Sequence, residues 1–183
     1  MKDDPSEYVR RSVANNLNDI SKDHPDAVIA LCRRWQKVPT SGKQWIIRHA
    51  TRTLVKGGHP EVFVLLGYTK NPRIKLSNLE LDSDPVNLGE TLVFKVKLQS
   101  TSPQAQTMVV DYAVHHMKAN GITSPKIFKF RTVNIAPGAT VVLTKRHAIK
   151  PVTTRKYHPG EHAIEILVNG KPLGRANFTL CIP

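Results

Sequence analysis

The sequence predicts an α+β chain in two domains, helical repeats first and a β-sandwich after them. Three observations carry that expectation. Apolar residues recur at helical spacing as far as Gly67 and at alternating spacing beyond it. A helical stretch of the first part recurs within that part. Glycine, proline and asparagine clusters then punctuate the second part at short intervals, as hairpin turns do.

The run DPSEYVRRSVANNLNDISKDHP, from Asp4 to Pro25, reads as one helix. Asp4 suits the cap, Pro5 the first helical position and Glu7 the acid of a capping box. Val9, Val13, Leu17 and Ile20 form the expected core stripe. Arg11, Asn15, Asn18 and Lys22 share another face, with Asp19 beside it. Asparagine costs helicity because its amide competes for backbone groups, so this face is either a plain solvated face or a binding one. A second helix runs from about His24 to Lys37 and buries Val28, Leu31 and Trp35. Ser41-Gly42-Lys43-Gln44 opens a third, which buries Ile46 or Ile47, Ala50 and Leu54 and stops at Gly57-Gly58. A short fourth covers Pro60 to Leu66. Tyr8-Val9-Arg10-Arg11 aligns with Trp45-Ile46-Ile47-Arg48 thirty-seven residues on, and His24-Pro25 with His59-Pro60. The unit is a hairpin of HEAT-like length, with Arg11 and Arg48 at equivalent positions. Two hairpins make little stacked core, which suggests a piece of a longer array.

From Tyr68 the period becomes two. Strands are expected at Ile74–Leu81, Thr91–Gln99, Thr107–Met117, Lys126–Ile135, Thr140–Ile149, Glu161–Val168 and Arg175–Cys181. Asn169-Gly170 is a tight-hairpin signal. Seven short strands fit an immunoglobulin-like sandwich. The domain boundaries are thus 1–68 and 69–183.

Charge narrows the partner. The 183 residues carry a net charge of +13. Up to Gly67 there are 11 basic and 7 acidic residues, and after it 16 and 7, so the second part holds most of the excess. Such a balance points to an anionic partner, most often nucleic acid. The densest basic stretch, Thr144 to His158, has five Lys or Arg and no acid. Lys145, Arg146, Lys150, Arg155 and Lys156 can hold phosphates there. The competing explanation is an edge strand guarded by lysines against aggregation. Lys118, Lys126, Lys129 and Arg131 form a second basic cluster around Asn120-Gly121. No stretch has the apolar length of a membrane span, MKDDPSEY is not a secretory leader, and Cys32 and Cys181 fall in different domains. The chain therefore reads as cytoplasmic, acting at the nucleoid, with no disulfide.

The strings SEYVRRSVANNLNDISKDHPD and WIIRHATRTLVKGGHPEVFVLLG resemble DNA alkylation repair glycosylases of the AlkC and AlkD type. DYAVHHMKANGITSPKIFKF and LTKRHAIKPVTTRKYHPGEHAIEILVNG resemble the immunoglobulin-like tail of the AlkC branch. The resemblance implies a monofunctional glycosylase that hydrolyses the N-glycosidic bond of 3-methyl-type purines in double-stranded DNA, without cofactor or metal. Alkylation makes the base a good leaving group, so the enzyme mainly stabilises an oxocarbenium-like sugar with a carboxylate and flanking cations. Arg11 matches the family's phosphate-contacting arginine. Asn15, Asn18, Arg48 and Arg52 join it as expected DNA-binding residues. The resemblance also implies about twice this length, with further repeats and the main carboxylate upstream. Asp4 and Asp19 are the acids near the polar face; Asp4 suits a cap, which leaves Asp19 as the candidate catalytic residue.

A different class of function stays open. A HEAT-like pair and a sandwich would also serve a non-catalytic adaptor that binds protein or an anionic surface. His115 and His116 occupy adjacent strand positions and point to opposite faces, which one metal does not bridge easily. Asp82-Ser83-Asp84 lacks the rest of a calcium loop. Trp35 and Trp45 stand at core spacing, although Trp45, aligned with Tyr8 at a helix start, is placed to reach a concave surface.

Overall fold

The computed structural model describes residues 4–153 and 155–182; Thr154 of the basic stretch lies outside the described residues. The chain divides into two compact units, one ending at Lys70 and the other starting at Asn71. The first is helical and the second is built of strands, so the chain is α+β.

The helical unit begins with α1, Glu7–Asp23. Ser6, in extended conformation, precedes it, so the helix starts later than Asp4 and Pro5 suggested. Asp4 Oδ1 accepts the backbone N–H of Ser6 at 2.8 Å and closes a turn ahead of the helix. The buried stripe is also rotated from the expected one. Ala14, Leu17, Asn18 and Ser21 face inward, whereas Ile20 is 39% exposed. Ala14, small and buried, lets α1 lie close to α3, Ser41–Ala50, where Ile46, Ile47 and Ala50 complete the same core. Thr40, not Ser41, caps α3, its hydroxyl accepting from Lys43 N at 3.2 Å. Between them α2, Pro25–Gln36, buries Val28, Ile29 and Cys32, while Leu31 and Trp35 pack half-buried at the margin.

The expected third helix is broken at Thr51. Its backbone leaves helical geometry (φ −99°, ψ 6°), and its hydroxyl donates to the Ile47 carbonyl at 2.8 Å. A five-residue helix, α4, Arg52–Lys56, follows, then α5, Pro60–Leu65. The amide freed at the break is received by Asn18, whose Oδ1 accepts from Thr53 N at 3.2 Å. Asn18 is 3% exposed, so it belongs to the core and not to the polar face on which sequence reasoning placed it. We expect Asn18→Ala to strand that donor at a cost of about 1–3 kcal/mol. The loss should show in the far-ultraviolet dichroism melt at 222 nm, since all the described helices lie in this unit. A melt unchanged from wild type would remove Asn18 from the ledger of the fold.

The second unit is a sandwich of two sheets. One has the order β1–β3–β6 and the other β2–β8–β7–β4–β5. The strands are β1 Ile74–Leu81, β2 Val86–Asn87, β3 Thr91–Ser100, β4 Gln106–Met117, β5 Thr123–Ile135, β6 Thr140–Ala148, β7 Gly160–Val168 and β8 Lys171–Cys181. The additional strand, β2, is two residues long and pairs parallel with β8, too short to leave a periodic trace in the sequence. Alternation is clean in β3, where Leu92, Phe94, Val96 and Leu98 enter the core. It fails in β4, which lies between β7 and β5 and is buried on both faces. Asn169 takes positive φ (46°) at the turn before Gly170, the conformation that asparagine and glycine tolerate best. Both basic stretches fall on sheet margins, for β5 and β6 are the last strands of their sheets.

Candidate nucleic-acid interface

On α1, Arg11, Asn15 and Asp19 follow one another at intervals of four, which stacks them along one line of the helix. Arg11, Ala14 and Asn15 face Trp45 and His49 of α3 and Arg52 of α4 across a hollow of about 380 Å³. Trp45 stacks on His49, with ring centroids 3.7 Å apart and planes inclined by 19°. His49 Nδ1 hydrogen-bonds the Trp45 carbonyl at 2.8 Å, and Arg52 Nη1 donates to the His49 carbonyl at 2.8 Å. These contacts fix a flat aromatic floor with a guanidinium on either rim. Arg11 also pairs with Glu7 at 2.6 Å, but both side chains are about two-thirds exposed. Such a pair is weak and is readily exchanged for a phosphate.

Asp19 lies one turn beyond Asn15. Lys22 donates to its Oδ1 at 2.8 Å. That hydrogen bond and charge, helped by the charge of Arg52, hold the carboxyl below its ordinary value. Asp19 is therefore an anion at neutral pH and has no proton to give. Its charge can stabilise a cation placed beside it.

Arg48 takes a different position. It lines a second hollow, of about 220 Å³, with Gln36, Gln44, Ile47, Leu65 and Gly67. Arg11 and Arg48, expected at equivalent positions, thus line separate concavities, and the arginine that shares the hollow of Arg11 is Arg52. Trp45, His49 and Arg52 stand at i, i+4 and i+7 and so share a face, whereas Arg48 lies beside that face. Trp45 lines this hollow, as its alignment with Tyr8 allowed, whereas His49 is the residue of the hollow that the sequence reading left unmarked.

In the sandwich the basic stretch separates into two environments. Lys145 on β6 is half-buried, with Nζ 5.8 Å from the Tyr112 ring and 6.0 Å from that of Phe130. It caps an aromatic cluster in which Tyr112 stacks on Phe128 with ring centroids 5.2 Å apart, and its hydroxyl meets His147 Nδ1 at 3.0 Å. Arg146 and Lys150 are exposed. Arg155 turns inward, its Nη1 donating to Nε2 of buried His116, while Lys156 stays exposed nearby. His115, the neighbour of His116, faces the other side and pairs with Glu165 at 3.1 Å. Among the described residues no group of three or more His, Cys, Asp or Glu is arranged to hold a metal ion, and no described helix is long and apolar enough to cross a membrane.

Residues 75–182 match the family model described as the C-terminal Ig-like domain of the uncharacterised protein YhaZ. The uncharacterised protein YhaZ of Bacillus subtilis (strain 168) is 36% identical over 178 residues, which cover 97% of this chain and 49% of that protein. Among solved structures, the Pseudomonas fluorescens alkylpurine DNA glycosylase AlkC, bound to DNA containing an abasic site analog, is 40% identical with a TM-score of 0.91. That match covers 98% of this chain and 50% of the AlkC chain, so the chain spans about half the length of these two relatives. A β-glucosidase from Erythrobacter marinus shares a fold over 60% of this chain and 16% of its own, at 18% identity and a TM-score of 0.52.

Proposed function

The chain belongs to the family of the YhaZ C-terminal Ig-like domain, and on that premise we propose that it serves DNA alkylation repair as the duplex-gripping portion of an alkylpurine DNA glycosylase. One observation supports this above the rest. The likeness to a DNA-bound AlkC runs through 98% of the chain at 40% identity, and so includes both the helical hollow and the basic sandwich.

In this reading Arg11 and Arg52 take backbone phosphates from the two rims of the first hollow, and Asn15 donates its amide between them. Trp45, backed by His49, offers an apolar plane against the sugar edge. Arg48 meets a further phosphate from the second hollow. Arg146, Lys150, Arg155 and Lys156 add sequence-independent charge from the sandwich, with Lys145 held back over its aromatic rings. The substrate would be duplex DNA bearing a 3-methyl-type purine, already cationic, so that a fixed anion near the sugar is the principal chemical need. Asp19 is the residue of this chain best suited to that need. It is ionised, exposed and in line with Arg11 and Asn15, and releasing Lys22 to a phosphate would free its charge.

The test is anisotropy of a labelled, methylated duplex across a salt series, with base release measured alongside. Binding that weakens steeply with salt supports the reading, whether or not bases are released. If bases are released, we expect Asp19→Asn to slow release by about 100-fold or more with binding retained, the scale of losing one preorganised electrostatic group. An unchanged release rate would take Asp19 out of the chemistry. Absence of duplex binding even at low salt would overturn the reading in favour of an adaptor.

A further inference from the structure

The sandwich contains a cavity that the grip on a duplex does not by itself require. It holds about 160 Å³ and lies where the β4–β5 hairpin meets the loop between β6 and β7. Lys118 and Ser124 reach it from the hairpin; Arg155, Lys156 and His158 reach it from the loop; His116 closes its base. No carboxylate stands among the described residues that line it. Lys118, Arg155 and Lys156 form no ion pair among the described residues, so three cations line one cavity without a described carboxylate beside them.

Arg155 is held in place from three directions. The loop bridges back on itself between Val152 and Arg155, with Arg155 N donating to the Val152 carbonyl at 3.3 Å. The guanidinium lies 5.7 Å from the Tyr157 ring centroid. Its Nη1 donates to His116 Nε2, and that imidazole is 5% exposed. Burial and the neighbouring Arg155 push His116 down to about 3, so it stays neutral and continues to accept from Arg155. A guanidinium fixed through one nitrogen keeps its remaining donors for a planar or tetrahedral oxyanion.

We propose that this cavity is a phosphate-binding pocket, in which Arg155, Lys156 and Lys118 neutralise the group and Ser124 donates its hydroxyl to one oxygen. His116 acts as the positioning residue that holds Arg155. The phosphate comes either from a nucleic-acid backbone, which rests on the function proposed above, or from a free phosphate.

Two titrations of the full chain test it, inorganic phosphate by calorimetry and a labelled duplex by anisotropy, each with wild type, Arg155→Ala and Lys156→Ala. We expect one phosphate to bind per chain, with affinity falling about 10-fold or more in Arg155→Ala, the scale of a charge-assisted hydrogen bond. If the phosphate is a backbone one, inorganic phosphate competes with the duplex, and Arg155→Ala lowers the salt slope by about 0.9. If it is a free one, Arg155→Ala loses phosphate while duplex affinity and slope stay as in wild type. Phosphate binding without any duplex binding would sink the repair function and leave the pocket standing. Phosphate binding that is absent, or equal in wild type and both variants, would overturn the pocket whatever the duplex does. For His116, His116→Ala should restore fast solvent exchange to the Arg155 guanidinium protons in NMR spectra, a change that loss of packing alone would not localise there.

Discussion

Lowering the pH from 7 to 4 should destabilise the sandwich by on the order of 5 kcal/mol, the largest effect expected of this chain. Three histidines are buried in its core or at its margin. Burial first, and then the charges of Arg155, His162, His147 and Lys126, push His116 down to about 3. Burial, with Lys145, Arg155 and Lys126 nearby, pushes His147 down to about 4. His162 is also lowered, chiefly by burial. In the unfolded chain all three would titrate near the ordinary histidine value. Below that value the unfolded chain binds protons that the folded one refuses, so stability falls as pH falls. Each histidine contributes a slope approaching 1.4 kcal/mol per pH unit between the ordinary value and its own depressed one. Above about pH 7 the effect is absent, because both states are neutral. Asp111 works the other way, since burial raises its carboxyl and favours the folded state in acid. Urea unfolding of the sandwich at pH 7, 5.5 and 4.5, followed by tyrosine absorbance or NMR, would measure the slope. His116→Gln with His147→Gln should remove about half of it or more; an unaltered slope in that double variant would refute the assignment.

Removing both rims of the helical hollow should produce the second largest effect. Arg11→Ala with Arg52→Ala is expected to lower duplex affinity by about 100-fold or more near 0.1 M salt, as each charge-assisted phosphate contact is worth ten-fold or more. The slope of log K against log salt should fall by about 0.9 for each arginine. Sequence preference should not change, because phosphates carry no base identity. Arg48→Ala reads the path of the duplex. A further drop in slope would run it across the second hollow, and no drop would confine it to the first. If the double variant keeps the wild-type slope, the hollow between α1 and α3 is not the interface.

Much of this molecule was legible in its sequence, and the failures have physical causes. The change of period near Gly67 anticipated helices followed by strands, because burial on one face imposes 3.6 on a helix and 2 on a strand. Strand β1 matched at both ends since turn residues flank it. The core stripe of α1 was misread because Ala14 and Ser21 count as weakly apolar or polar, yet both are buried, and the small size of Ala14 lets α3 approach. Asn18 was misread for a related reason: an asparagine looks like surface until a broken helix thirty-five residues away presents an unpaired amide. The break at Thr51 itself leaves no glycine or proline to announce it. In the site, Arg11 and Asn15 could be found by spacing along one helix. The pairing of Arg11 with Arg52, and the inward turn of Arg155 onto His116, depend on contacts between distant segments, which periodicity does not encode.

The stacking of Trp45 on His49 has an optical consequence. Both tryptophans of the chain, Trp35 and Trp45, belong to the helical unit, and the sandwich has only tyrosine and phenylalanine as fluorophores. Emission excited at the red edge of the indole band therefore comes from the helices alone. Trp45 lines the hollow, with an imidazole against its face, so its brightness depends on what occupies the space above it. The chain carries its own reporter dye at the place where a ligand would arrive.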